Sequence, residues 1–268
     1  MLLYDDQQSE ARFAGMDQIS DASIQNKRAY CEKHGYSLKI ADGQMIDRSR
    51  PAAWSKVLAL RHYLPQFDWV LFMDTDTLVM NPEIKVESLI DERYDVIISE
   101  DWSGVNTGVF LMRNSTWSWW LLDEVWKQHQ LVSGNYPFEY EQRAFHYLLQ
   151  TSVWRARGLS RCESARATTR EKRTHFTNRP RRYPGAPEVR RHFKVIPQCA
   201  LNSYMLSPFT LRGDRATSQY VQGDFVVHMA GHKGYNKARL FEHAQRQAEA
   251  GLAQERPRRP RQRLRRLR

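Results

Sequence analysis

The chain has 268 residues, 41% of them hydrophobic and 12% aromatic, which allows one large α/β domain or at most two small ones, with a real core, and excludes a chain disordered throughout. The formal net charge of +11 is uneven: residues 256–268 contribute +8 and residues 155–191 contribute +9, leaving −6 for the rest, so the basicity marks two segments rather than a folded nucleic-acid-binding face. Three cysteines (Cys31, Cys162, Cys199) are too few for a disulfide scaffold and form no CxxC zinc pattern, and there is neither an 18-residue apolar run nor a signal-peptide pattern at Met1 to Asp6.

Along the chain, Leu2-Leu3-Tyr4 reads as a short strand. A helix follows from about Asp17 to His34, with Gly35 at the left-handed position that ends it. Tyr36 to Ile40 reads as a strand. Trp54, Val57, Leu58, Arg61 and His62 recur at helical spacing and stop before Pro65. Trp69 to Met73 (WVLFM) is a continuous apolar run of strand length, and Asp95 to Ser99 and Gly108 to Met112 are two more. Ser115 is placed to cap a helix whose apolar side holds Trp117, Trp120, Leu121 and Val125. Tyr140 to Leu149 gives another helix through Ala144, Phe145 and Leu148. Periodicity is lost across 155–191, which reads as a basic insertion or loop. Strand patterns return at Phe193 to Ile196 and Phe225 to His228. Asn236 to Leu252 is helical through Leu240, Phe241, Ala244, Ala248 and Leu252, and 253–268 reads as a disordered Arg/Pro-rich tail. Strand–helix alternation with apolar strand runs predicts an α/β domain over 1–252 with a mostly parallel sheet, whose ligands collect at the carboxyl ends of strands.

Two motifs stand at such ends. Asp74-Thr75-Asp76 follows WVLFM directly, and two carboxylates two residues apart suit a hard divalent cation, Mn²⁺ or Mg²⁺, shared with a diphosphate. A solvated turn is the bland reading of such a motif alone. His228-Met229-Ala230-Gly231-His232-Lys233-Gly234 follows a second apolar run. Its imidazole suits the same ion, its glycines allow backbone to approach phosphate, and Lys233 is a compact charge for neutralising it. A strand-end histidine in an ordinary turn is the alternative there.

The sequence resembles the GT-A glycosyltransferases of the galactosyl transferase GMA12/MNN10-like family, glycosyltransferase family 34. The resemblance rests on Asn26-Lys27-x-x-Tyr30 with His34-Gly35-Tyr36, Trp54-Ser55-Lys56, WVLFMDTDT (69–77), NTGVFLMRNS (106–115), Tyr140-Glu141-Gln142, IPQ with Leu201-Asn202-Ser203-Tyr204, and HMAG (228–231), in family order over nearly the whole chain. It implies a single GT-A, Rossmann-like nucleotide-diphospho-sugar transferase domain. It implies Asp74, Asp76 and His228 as metal ligands, and Lys233 beside the donor diphosphate. Gln142 falls near the anomeric centre and Asn106 at a donor-side or acceptor-side contact. Asn26, Lys27, Trp54, Lys56, Thr75 and Gly231 fall in the part that holds the nucleotide. Each has a plainer reading: surface lysines at 27 and 56, a core tryptophan at 54, a turn residue at 106, a helix-surface amide at 142.

The implied activity is a metal-dependent, retaining transfer of a hexose or pentose from a UDP- or GDP-sugar to a glycan acceptor, forming an α-linkage. No Asp or Glu stands out as a covalent nucleophile, so front-face transfer with Gln142 steadying an oxocarbenium-like centre is the expected course. The resemblance also implies a Golgi location. Members are usually membrane-anchored with a stem, and this sequence shows neither, which leaves a soluble form or a truncated gene model. A glycogenin-like GT-A enzyme is the alternative for the HxxGxK ending, and a basic nucleic-acid binder is the non-enzyme alternative. Nucleic acid is not expected as the main partner, although the tail suits anionic surfaces.

Overall fold

The structure, a computed structural model, describes residues 2–3, 16–101, 104–132, 141–150, 186–205, 219–232 and 234–255. The apolar runs form the centre of the main sheet. β3 (Trp69–Asp74) and β6 (Gly104–Arg113) pair antiparallel from Trp69↔Arg113 to Met73↔Val109. With β1 (Leu2–Leu3), β2 (Ile40–Ala41), β5 (Val96–Asp101) and β7 (Phe193–Ile196) they form six strands in the order β2-β1-β3-β6-β5-β7. The runs are continuously apolar because both faces are covered. Phe72, Phe110 and Met112 join Trp54, Leu121 and Phe145 on one side, and Met73, Val109 and Leu111 join Tyr30 and Phe225 on the other.

The β2–β1, β1–β3 and β5–β7 pairs are parallel, whereas β6 opposes both neighbours. The α/β class holds, with a mixed sheet. β5 runs on to Asp101 and β6 starts at Gly104, so the two form a hairpin, and a hairpin is necessarily antiparallel. A second, three-stranded sheet has the order β4-β9-β8, from β4 (Thr77–Val79), β9 (Val226–His228) and β8 (Ser203–Tyr204). The chain passes from one sheet to the other through Asp74-Thr75-Asp76.

The helices are α1 (Met16–His34), α2 (Ser55–Tyr63), α3 (Thr116–Lys127), α4 (Gln142–Leu149), α5 (Ala186–Arg191), α6 (Gln198–Leu201) and α7 (Gly234–Glu255). Gly35 has φ +73° after α1, and the Ser115 hydroxyl accepts from Ser118 N–H at the start of α3, both as the sequence predicts. Five details differ from the sequence reading. Of the 36–40 segment only Ile40 pairs as a strand, together with Ala41, because β1 offers just two partners. Trp120 is 37% exposed, and Leu122 takes its place on the packed side of α3. The end of the basic stretch, 186–191, is the helix α5, anchored by buried Ala186 and Val189 and by an Arg190 Nε bond to the Leu149 carbonyl (2.7 Å). Helix α7 starts at Gly234 and continues three residues past Leu252 into the expected tail. Cys199 is disulfide-bonded and Cys31 is a free thiol. Residues 155–185 and 256–268 lie outside the described residues. No described helix is long and apolar enough to cross a membrane.

Candidate metal and diphosphate site

Because β4 pairs with β9 at Thr77↔His228, the carboxylates of the β3–β4 turn meet the last residue of β9. One ligand atom from each of Asp74, Asp76 and His228 lies within 4.8 Å of the others. Two carboxylate oxygens and an imidazole nitrogen are a donor set that fits Mn²⁺ or Mg²⁺. The turn is held from within by the Thr77 hydroxyl donating to the Asp74 carbonyl (2.6 Å) and by Met229 N–H donating to the Asp76 carbonyl (3.0 Å).

Helix α1 clamps the turn from below. Ser23 Oγ donates to the Thr75 carbonyl (2.6 Å), and Lys27 Nζ donates to the Thr77 carbonyl (2.7 Å) and to Ser23 Oγ (2.6 Å). The Asn26 amide accepts from Val79 N–H (2.7 Å) and donates to the Val79 carbonyl (3.0 Å), as a neighbouring strand would. Burial pushes the Lys27 ammonium down to about 7, against the opposing pull of Asp76 and Asp74.

Each carboxylate has its own cation. Lys56 Nζ, buried beneath the site, lies 3.2 Å from Asp74 Oδ1 and 2.6 Å from Glu141 Oε1, and donates to the Thr107 carbonyl (3.0 Å), so all three of its protons are used. Thr107 lies beyond the last β3–β6 pair, and side chains satisfy its edge. Its N–H donates to Gln142 Oε1 (3.0 Å) and its hydroxyl to Glu141 Oε1 (2.7 Å). Asp76 Oδ2 is 2.5 Å from Lys237 Nζ on the first turn of α7, and Asp76 Oδ1 is 3.3 Å from His228 Nε2.

The two aspartates respond differently. Limited solvent access raises the Asp74 carboxyl; Lys56 opposes this and the Asp76 charge adds to it. Burial would also raise Asp76, but Lys237 and then His228 outweigh it and hold that carboxyl well below the usual range.

His228 is fixed on its other side. Its Nδ1 is 3.0 Å from Asn202 Oδ1, Asn202 Nδ2 donates to Asn106 Oδ1 (2.8 Å), and the same Asn106 oxygen accepts from Gly108 N–H (3.0 Å). The ring lies directly over Gly108, where a Cβ would overlap Cε1 and come 2.8 Å from Nδ1. Tyr204 meets the ring edge-on at 5.8 Å, and its hydroxyl donates to Asp101.

The structure thus brings Asp74, Asp76, His228, Lys56, Asn106 and Gln142 into one connected cluster, with Thr75 buried in its turn. Two residues expected at the nucleotide are engaged within the protein itself. Trp54 is wholly buried in the core against Trp126 and offers no surface to a ligand, and Asn26 spends both ends of its amide on Val79. Lys27 supports the turn from inside the protein. Gly231 adopts φ +74° in the turn after β9, a conformation that favours glycine. Lys233 lies outside the described residues. Sequence reasoning missed the parts played by Glu141, Asn202 and Lys237. The first two sit inside motifs quoted above. Lys237 carries only one faint signal, its place at the start of a predicted helix next to the HxxG turn.

A strand-end pair of carboxylates and a strand-end histidine, at the junction of a mixed α/β sheet with a small second sheet, is the architecture of a GT-A glycosyltransferase fold. A glycosyltransferase involved in the glycosylation of the major capsid of PBCV-1 superposes with a TM-score of 0.55, over 91% of this chain and 98% of that one at 15% identity, which shows the shared fold. Residues 1–93 and 88–239 match the model of the galactosyl transferase GMA12/MNN10 family, and the chain belongs to that family. The probable alpha-1,6-mannosyltransferase MNN10 of Saccharomyces cerevisiae is 26% identical over 252 residues, 80% of this chain and 55% of that protein. An uncharacterized alpha-1,2-galactosyltransferase of Schizosaccharomyces pombe is 28% identical over 47% of this chain and 44% of its own length. A probable xyloglucan 6-xylosyltransferase 1 of Oryza sativa is 32% identical over 38% of this chain and 25% of its own length. The chain spans about half the length, or less, of these curated relatives. The family match sets aside the glycogenin-like alternative.

Proposed function

We propose that this protein is a metal-dependent, retaining glycosyltransferase that moves a hexose or pentose from a nucleoside-diphosphate sugar to a glycan acceptor and forms an α-linkage. The observation that carries this reading is the convergence of Asp74, Asp76 and His228 within 4.8 Å in a GT-A fold. The relatives' names specify alpha-mannosyl and alpha-galactosyl transfer. With a donor whose sugar is α-linked to phosphate, an α-product means retention.

Asp74, Asp76 and His228 would hold Mn²⁺ or Mg²⁺. When bound, such an ion supplies the positive charge that stabilises a departing nucleoside diphosphate. The remaining work belongs to the chain. Lys56 keeps Asp74 and Glu141 together without mutual repulsion, and Lys237 keeps Asp76 ionised. Lys233, which precedes Gly234 in the sequence, would supply a further cation for the diphosphate. Gln142 is fixed by Thr107 N–H donating to its Oε1, and the second lone pair of that oxygen would face the positive charge that develops at the anomeric carbon. Cys199 in a disulfide suits the oxidising lumen of the secretory pathway, in keeping with a Golgi location.

The test is nucleotide release from a panel of UDP- and GDP-sugars with Mn²⁺ present or chelated. One or more donors should turn over only with metal, and Asp74→Asn and Asp76→Asn should abolish this while leaving the circular dichroism native. Turnover at wild-type rates in either variant would falsify the assignment.

A further inference from the structure

The hydrogen-bond chain behind His228 has a direction, and a backbone amide sets it. Gly108 N–H can only donate, so the Asn106 atom it meets at 3.0 Å is the oxygen. Asn202 meets that same oxygen at 2.8 Å and must therefore present its NH₂ group there. The other end of the Asn202 amide, its oxygen, then faces His228 Nδ1 at 3.0 Å. An acceptor opposite Nδ1 requires the proton on Nδ1. In the neutral ring this leaves the lone pair on Nε2, which faces Asp76 Oδ1 at 3.3 Å. Two acceptors then point at one another beside a third, Asp74, an arrangement satisfied by a second ring proton or by a metal ion between them.

Resting on the glycosyltransferase reading above, the geometry points to Asn202, aligned by Asn106 and the Gly108 amide, as the positioning residue that sets the tautomer of His228 and aims its Nε2 lone pair at the metal. All members of the relay are buried, so water does not substitute for a lost partner. Gly108 contributes a second constraint, since the imidazole occupies the space where any other residue would place its Cβ. Without the Asn202 acceptor, the neutral ring gains more by protonating Nε2 and donating to Asp76, which masks the lone pair.

The test reads the tautomer directly and the metal separately. In metal-free protein labelled with ¹⁵N-histidine, at a pH alkaline enough to keep the imidazole neutral, wild-type His228 should show the Nδ1–H pattern. Asn202→Leu should shift it toward Nε2–H and raise the Mn²⁺ dissociation constant by roughly 10- to 100-fold, the scale of losing a partner behind a metal-binding histidine. Asn202→Asp retains an acceptor for Nδ1–H and should keep the wild-type tautomer. An Nε2–H pattern in the wild type, which needs no variant to fold, overturns the inference. So does an Asn202→Leu protein that keeps both the Nδ1–H pattern and its Mn²⁺ affinity. Wild type with the Nδ1–H pattern but no affinity for Mn²⁺ or Mg²⁺ would uphold the relay and sink the metal-dependent reading instead.

Discussion

Lys237 and Lys27 are both lysines beside the same acidic turn, yet they act on stability with opposite signs. Lys237 holds the Asp76 carboxyl below its ordinary range. A depressed carboxylate adds stability that is complete above about pH 4 and is lost as the pH falls through the folded value. Lys237→Met should cost about 1–3 kcal/mol in metal-free protein at pH 7 by leaving Asp76 without its cation. That gap should close in acid, and also when Mn²⁺ takes over the neutralising role; denaturant unfolding under the three conditions checks it. Lys27 is the reverse case. Its folded value of about 7 lies below the ordinary 10.5, so between those limits the unfolded chain binds the extra proton and stability rises with pH. Wild type should therefore gain more stability than Lys27→Met between pH 7 and pH 9. Equal gains in the two proteins would mean that the Lys27 ammonium is not penalised by burial.

The elements that sequence patterning displayed best are those whose both faces are buried or whose ends are chemically marked. β3, β6 and the Ser115 cap belong here: an unbroken apolar run and a hydroxyl before a helix are local signals. The Asp74, Asp76 and His228 cluster was legible for the same reason, since each member directly follows such a run. Strand direction was not legible, because the β5–β6 hairpin closes through Ser99↔Asn106, Glu100↔Val105 and Asp101↔Gly104, mostly polar residues that extend no apolar run. Nor was the split of roles along α1. Asn26 and Lys27 look like ligand residues in a motif, but α1 lies against β4 and turns both amide and ammonium onto strand backbone. This makes a prediction about the element. Asn26→Leu deletes two hydrogen bonds to Val79 and should lower stability by about 1–3 kcal/mol, and it should change the donor KM little once the folded fraction is accounted for. A large rise in KM with an unchanged denaturation midpoint would restore Asn26 as a ligand contact.

At the scale of the molecule, the candidate metal site is also a joint. Asp74 closes the last β1–β3 pair of the six-stranded sheet, His228 ends a strand of the small sheet, α2 and α7 reach in with Lys56 and Lys237, and Glu141 reaches in from the cap before α4. In metal-free protein this joint holds Asp74 and Asp76 close together, and each charge raises the cost of ionising its neighbour. An ion bound to the folded state alone stabilises it by RT ln(1 + [L]/Kd), about 2.7 kcal/mol when the ion is at one hundred times its Kd. For a domain of this size that is a melting-temperature rise of roughly 5–10 °C. Saturating Mn²⁺ should produce a rise of that order, and EDTA should reverse it. Asp74→Asn relieves the repulsion while removing a ligand. Its metal-free melting temperature should therefore match or exceed that of wild type, unless the lost Lys56 contact dominates, in which case the midpoint falls and Lys56→Met falls with it. In both cases the Mn²⁺-dependent increment should disappear. An Asp74→Asn protein that still gains the full increment would place the ion elsewhere and dissolve the link between the two sheets and the chemistry.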